Sequence, residues 1–322
     1  MSSVERTAAR LAALLMAGDN GLSEPTRSDL VFVDDIVIEP LLRRPPPPDT
    51  WAVDGGQTLV ADARCFQVYA TRAARVRWRE GTSTHHDEGE LRIHLFGARG
   101  EAAALSSLGA PLTERSSVDV NLAREWGEWE QVAASVGECE PSGLVLVDGD
   151  LQPDWRLAAP WIAGLLEVAL ERDVGLLGVT KHSSLTRGGA PLLGWLEREA
   201  DRLLGPRSMW WARVASTTSE TGPGLDVAVA RLDPDARFAF RVDLPGGTDL
   251  PRVLGSLAAL SNDAAFPGYP YPLSVADRVA SCGRWVRDEV WDEIESQFDR
   301  LGVPADVRDR AFSDRHRLME RA

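Results

Sequence analysis

Trp51-Ala52-Val53-Asp54-Gly55-Gly56-Gln57-Thr58-Leu59-Val60-Ala61 is a largely apolar run with one aspartate and two glycines at its centre. Read as a strand, it holds a carboxylate among apolar neighbours, which is costly unless the charge is paired or metal-bound. Gly55 and Gly56 let the backbone turn there, or let another group come close. Working outward, residues 65–78 alternate and are rich in β-formers. Residues 91–96 alternate again, with Leu91, Ile93 and Leu95 on one side. The breaks at Asp62-Ala63 and between Gly81 and Gly89 are short, so three antiparallel strands in a meander are predicted. His85-His86-Asp87-Glu88 falls in the second break and reads as a solvated hairpin loop.

Residues 118–136 have helical spacing, with Ser116 or Ser117 as the expected cap. Gly143-Leu144-Val145-Leu146-Val147-Asp148 is a continuous apolar run, as in a strand buried on both faces. A helix over 158–172, a second buried strand over 174–180 and a helix over 191–204 follow. Residues 209–216, 226–232 and 238–242 read as strands. Residues 250–260, 274–286 and 288 onwards read as helices, with Pro304 opening the last. Three antiparallel strands followed by alternating helix and strand predict an α/β fold, a mixed sheet flanked by helices. Upstream lie an amphipathic helix over 1–18, an apolar segment over 30–38 and the stiff connector Pro45-Pro46-Pro47-Pro48. The expected organisation is a helical arm with its connector over 1–49, a core over 50–290 and a helical extension over 291–322.

The chain has 322 residues, 44% of them hydrophobic, which is ample for a packed core. No apolar run approaches the roughly 20 residues of a membrane span. Glu5, Arg6 and Arg10 at helical spacing make the N-terminus unlike a signal peptide. Cys65, Cys139 and Cys282 are odd in number and scattered, so a reducing cytoplasm is expected. A net charge of −14 argues against a protein that coats nucleic acid, and any DNA contact must be local. Arg72, Arg75, Arg77 and Arg79 are the expected DNA-contact cluster, the last three sharing one strand face. Lys181 is the chain's only lysine.

Six acidic residues stand where such a core can converge. Asp54 lies within its strand, and Asp148 ends a buried strand just before a glycine. Glu125 and Glu128 lie on the helix after the meander. Asp243 closes Phe-Arg-Val-Asp, and Asp277 stands near the start of a C-terminal helix. Magnesium and manganese prefer oxygen ligands, and two such ions about 3.5–4 Å apart promote phosphodiester cleavage. A second reading stays open. Asp54-Gly55-Gly56-Gln57-Thr58 resembles the Asp-x-Gly-x-Thr phosphate loop of the actin and sugar-kinase superfamily. A non-catalytic adaptor is a third, against which the retained carboxylates count.

Val53-Asp54-Gly55-Gly56, Asn121-Leu122-Ala123-Arg124-Glu125-Trp126-Gly127-Glu128, Val145-Leu146-Val147-Asp148-Gly149-Asp150-Leu151, Gly178-Val179-Thr180-Lys181 and Gly268-Tyr269-Pro270-Tyr271-Pro272-Leu273 together resemble the NurA nuclease family, in the same order. The resemblance implies a ribonuclease H-like core, a homodimer, DNA cleavage with manganese or magnesium, and work beside a hexameric HerA-like ATPase in end processing. It implies that Asp54, Glu128 and Asp148 ligate metal, with Asp243 or Asp277 completing the site. Lys181 would sit near the scissile phosphate. Two departures stand out: the family more often has Asp-Gly-Ser at Asp54-Gly55-Gly56, and often a histidine where Asp277 stands.

Overall fold

The computed structural model describes residues 2–16, 21–25, 29–97, 108–112, 118–152, 154–217 and 223–313. The N-terminal segment forms α1 (Ser3–Leu15), β1 (Leu22–Ser23), β2 (Leu30–Phe32) and β3 (Glu39–Pro40). The apolar run around Asp54 lies within β4 (Thr50–Asp62), and β5 (Gln67–Arg79) returns antiparallel with Asp54 opposite Ala74. The expected loop at 82–87 is instead a strand, β6 (Thr82–Asp87), paired with β5. Glu80 and Gly81 have φ of 50° and 78°, and Arg79 pairs with Thr82. Positive φ at both central residues makes the tight turn that suits right-twisted strands, so the ladder resumes at once. His85 and His86 therefore lie in a strand. β7 (Arg92–Phe96) pairs with the other half of β5.

The Asp119 side chain, which accepts from the Leu122 amide, caps α2 (Val120–Glu138). Ser116 and Ser117 lie outside the described residues. β8 (Leu144–Asp148), α3 (Ala159–Glu171) and β9 (Gly175–Thr180) follow. β8 runs parallel to β4 and β9 parallel to β8, which requires helical crossovers. A small hairpin of β10 (Thr186–Arg187) and β11 (Ala190–Pro191) precedes α4 (Leu192–Leu204). Then come β12 (Trp210–Thr217), β13 (Leu225–Arg231) and β14 (Phe240–Pro245), and the helices α5 (Leu250–Ala259), α6 (Tyr271–Ala280), α7 (Arg284–Arg300) and α8 (Ala305–Phe312). The helix expected over 274–286 starts earlier and breaks at Gly283. Pro272 occupies the first turn of α6, where its missing N–H leaves no bond unmade. Asp277 is therefore a mid-helix residue.

The main sheet runs β2-β12-β13-β14-β9-β8-β4-β5-β6, with β3 also on β12 and β7 also on β5. This is the mixed, helix-covered, ribonuclease H-like sheet that the order of elements predicted. Trp51, Val53, Val145 and Val147 pack on one face against Leu122, Trp129 and Val132 of α2 and Leu166 of α3. Ala52, Leu146, Leu177 and Val179 pack on the other against Leu254 and Leu257 of α5 and Leu273 and Ala276 of α6. Burial on both sides explains the unbroken apolar run in β8, each large side chain contributing about 1.5–3 kcal/mol. The arm joins the same sheet through β2 and β3. Leu41 is buried, and the Arg44 amide donates to the Gly255 carbonyl at 3.0 Å. The boundary expected at 49/50 thus lies inside one sheet system, and that at 290/291 lies within α7. Among the described residues no helix is long and apolar enough to cross a membrane.

Candidate metal centre

β4 and β8 run in parallel register, with Val53 beside Val147, so the next step sets Asp54 beside Asp148. Asp277 arrives from α6, which covers that face of β4. One carboxylate oxygen from each of Asp54, Asp148 and Asp277 lies within 4.8 Å of the others. Asp54 is buried, Asp148 half-buried and Asp277 exposed, so the cluster opens to solvent on the Asp277 side.

Asp54 accepts the Gly55 amide on Oδ1 at 2.7 Å, while its buried Oδ2 has no hydrogen-bond partner. Burial, and then the charges of Asp148 and Glu128, push the Asp54 carboxyl up to about 8 despite the Gly55 amide. Crowded carboxylates cannot all ionise without a cation between them. An orphaned buried oxygen beside two further carboxylates fits a hard divalent ion.

Glu128 approaches from the opposite face. A Cβ on Gly55 would lie 2.1 Å from Glu128 Oε1, so the glycine leaves room for that carboxylate directly over the residue after Asp54. Glu128 also pairs with Arg124, one turn earlier on α2. Burial pushes the Glu128 carboxyl up to about 7. Arg124 opposes this, while the charges of Glu125 and Asp148 add to it. Glu125 holds structure instead: its Oε1 accepts the Asp154 amide at 2.6 Å and Trp129 Nε1 at 3.3 Å.

Lys181 lies just past β9, and its Nζ is 2.5 Å from Asp148 Oδ2. Burial alone would lower its pKa, but the hydrogen bond to Asp148 and the surrounding carboxylates raise it, so it stays an ammonium. The same Nζ stands 5.0 Å above the ring of Tyr269. Tyr269 is buried, and its hydroxyl lies near Asp148 but short of hydrogen-bond geometry. Burial and the charges of Asp148 and Asp54 raise its pKa, so it remains a potential donor. Its place in Gly268-Tyr269-Pro270-Tyr271-Pro272-Leu273 was visible in the sequence, but its role as a wall of the site was not.

The structure does not bring Asp243 into the cluster. Asp243 is fully buried and receives Arg241 Nε at 2.7 Å and Nη2 at 2.9 Å. Arg241 also reaches Glu24 at 3.1 Å, so this network fastens the N-terminal segment to β14. Of the two residues expected to complete the set, the structure brings only Asp277 beside Asp54 and Asp148.

The structure sets the arginine cluster among carboxylates. Arg75, Arg77 and Arg79 share a face of β5 as expected, but each is already ion-paired. Arg75 meets Asp87 at 3.1 Å and Glu138 at 2.9 Å, and Arg77 grips Asp49 at 2.9 and 2.8 Å. Arg79 meets Asp49 at 3.0 Å and also pairs with Glu140. Arg72, on the other face, meets Glu88 at 3.2 Å. Arg75 and Arg77 also stack over Trp51, at 4.7 and 5.1 Å. Each of the four arginines thus already faces a carboxylate of the fold.

A ribonuclease H-like sheet with carboxylates converging from two central parallel strands and two helices is the class that fold and site define. Comparison with solved structures narrows it. The NurA nuclease from Sulfolobus solfataricus superposes with a TM-score of 0.58 at 16% identity, covering 92% of this chain and 95% of that one. A second NurA structure gives 0.52 at 10% identity, covering 85% and 93%. The chain thus has the NurA-like fold, and at these identities the likeness is one of fold. No protein-family profile matches the sequence, and none of the curated proteins does.

Proposed function

We propose that the protein is a metal-dependent deoxyribonuclease that hydrolyses phosphodiester bonds during DNA end processing. The observation that carries this reading is Asp54, a buried carboxylate with an orphaned oxygen, set against Asp148 and Asp277. Asp54, Asp148 and Asp277 would hold manganese or magnesium, with Glu128 as a fourth carboxylate on the far side of Gly55. Divalent ions bound there supply an activated water and neutralise the leaving oxygen. Lys181 offers a compact cation beside Asp148 that can orient a phosphate oxygen. Tyr269 walls the site beneath the ammonium. The NurA-like fold and the ordered sequence resemblance support a homodimer working with a HerA-like hexameric ATPase. The phosphate-loop alternative fits poorly, because carboxylates that close would repel a phosphate in the absence of a cation.

The test is digestion of single- and double-stranded DNA with manganese or magnesium, wild type beside Asp54→Ala and Asp148→Ala, with and without a HerA-like ring. The expected result is cleavage by wild type that either substitution abolishes. Cleavage that survives both substitutions sinks the site assignment. No cleavage by wild type, with the ring or without it, sinks the activity.

A further inference from the structure

The turn that follows Asp148 is clamped at nearly every polar position. The Gly149 amide donates to the Val179 carbonyl at 3.1 Å, and the Asp154 amide to Glu125 Oε1 at 2.6 Å. Asp154 receives the Arg156 amide at 2.9 Å, Nε at 2.8 Å and Nη2 at 2.6 Å. Arg156 Nη1 reaches Asp119 at 2.9 Å, and the Ala158 amide donates to the Pro111 carbonyl at 2.7 Å. Arg156 and Leu157 are buried, yet Trp155 just before them is 76% exposed. A segment held by these bonds therefore displays an indole, among the largest apolar surfaces a side chain offers, to water.

The position of this loop gives the indole a use. Glu125 and Glu128 are one helical turn apart, about 5–6 Å between Cβ atoms. Glu125 holds the amide of Asp154, so the Trp155 loop, which leaves the strand ending in Asp148, is tied to the same helix that carries Glu128. The chain is acidic and the arginines of β5 are bound to carboxylates, so little cationic surface there is left to hold a strand. An aromatic face binds bases of any sequence and needs no charge. Bases within a duplex are already stacked on each other, so such a platform serves an unpaired one.

We propose that Trp155 is a stacking platform for an unpaired nucleobase of the strand held at the carboxylate cluster, which favours single-stranded or frayed ends as substrate. This rests on the nuclease reading above. The test measures binding of a labelled single-stranded oligonucleotide and of its duplex by anisotropy, in EDTA. Wild type, Trp155→Ala and Trp155→Phe are compared, and single-strand cleavage kinetics and sedimentation are run in parallel. Trp155→Ala is expected to weaken single-strand binding about tenfold and to raise KM with kcat held, while duplex binding barely moves. Trp155→Phe is expected to restore most of the loss. The proposal is overturned if Trp155→Ala binds the single strand like wild type, if Phe fails to rescue, or if single strand and duplex weaken alike. It is also overturned if the substitution changes only the sedimenting mass, which would make the indole a protein contact. A wild type that neither binds nor cuts DNA defeats the nuclease reading itself. A wild type that does both, with Trp155→Ala unchanged, defeats only the Trp155 assignment.

Discussion

Asp49 and Asp54 flank the start of one strand and are both buried, at 0% and 6% exposure, yet their surroundings are opposite. Burial alone would raise the Asp49 carboxyl. Hydrogen bonds from Arg77, Arg79 and the Glu140 amide overcome it and hold the group down at about 2. Asp54 has one backbone amide, an orphaned oxygen and carboxylates for neighbours, and it is pushed up to about 8. The fold satisfies the first aspartate from within and leaves the second unmet. A buried charge that the protein itself pairs is structural, whereas one left among like charges is waiting for something the chain does not provide.

The largest effect that tests this contrast is on catalysis. Asp54→Asn is expected to lower cleavage more than about 100-fold, because losing a ligand should exceed the roughly 10- to 100-fold loss seen when only a group that hydrogen-bonds to a ligand is changed. The same substitution replaces a carboxyl that burial and its neighbours already keep largely protonated near neutral pH, so the metal-free variant is expected to melt no lower than wild type. Manganese at about 100 times its Kd should stabilise wild type by about 2.7 kcal/mol and the variant by little. Thermal melts with and without manganese check both. A variant that still gains stability from manganese would place the ion elsewhere.

Asp49→Ala is expected to act on the fold alone. Removing the buried carboxylate leaves Arg77 without its bidentate partner and Arg79 with Glu140 alone, and costs about 3 kcal/mol, the lower end for a broken buried pair because both arginines are partly exposed. Urea unfolding reads the loss, while cleavage per folded molecule should hold. A variant with normal stability and lost cleavage would reverse the roles of the two aspartates.

Sequence alone went far with Asp54 and Asp148, because an apolar run with a single carboxylate is a local pattern that burial makes costly. The buried strands β8 and β9 were legible for the same reason. The choice of Asp277 over Asp243 was not, since Arg241 sits two residues from Asp243 in a strand like any other and only the fold closes the pair. Nor was the pairing of the β5 arginines, whose partners Asp49, Glu138 and Glu140 lie up to 63 positions away. The β6 hairpin was missed because its turn, Glu80-Gly81, puts a non-glycine residue at positive φ.

The contrast also predicts a pH response. The folded Asp49 carboxyl sits at about 2, against an ordinary 3.8 when unfolded. Between those values the unfolded chain binds more protons, so stability falls as pH falls through this window and is fully present above it. The contribution is about 2 kcal/mol. Urea unfolding between pH 2 and 3.8 should show a slope that Asp49→Ala flattens and Asp54→Asn leaves in place, because below 3.8 the Asp54 carboxyl is protonated in both the folded and the unfolded chain.

Lys181 stands between the two extremes and has the smallest expected effect. Asp148 is neither sealed by arginines like Asp49 nor abandoned like Asp54, since it holds one half-exposed ammonium at 2.5 Å. That ammonium competes with any cation for Asp148, yet it is also the positive charge nearest an incoming phosphate. Lys181→Ala should therefore split two measurements. Cleavage should fall roughly tenfold, less than a fully buried donor would cost, while manganese should bind more tightly by calorimetry because Asp148 loses its internal partner. If both fall together, Lys181 helps to build the site. If neither moves, its pairing with Asp148 is only a surface ion pair, and the ordering of the three aspartates by how far the protein meets their charge does not extend to function.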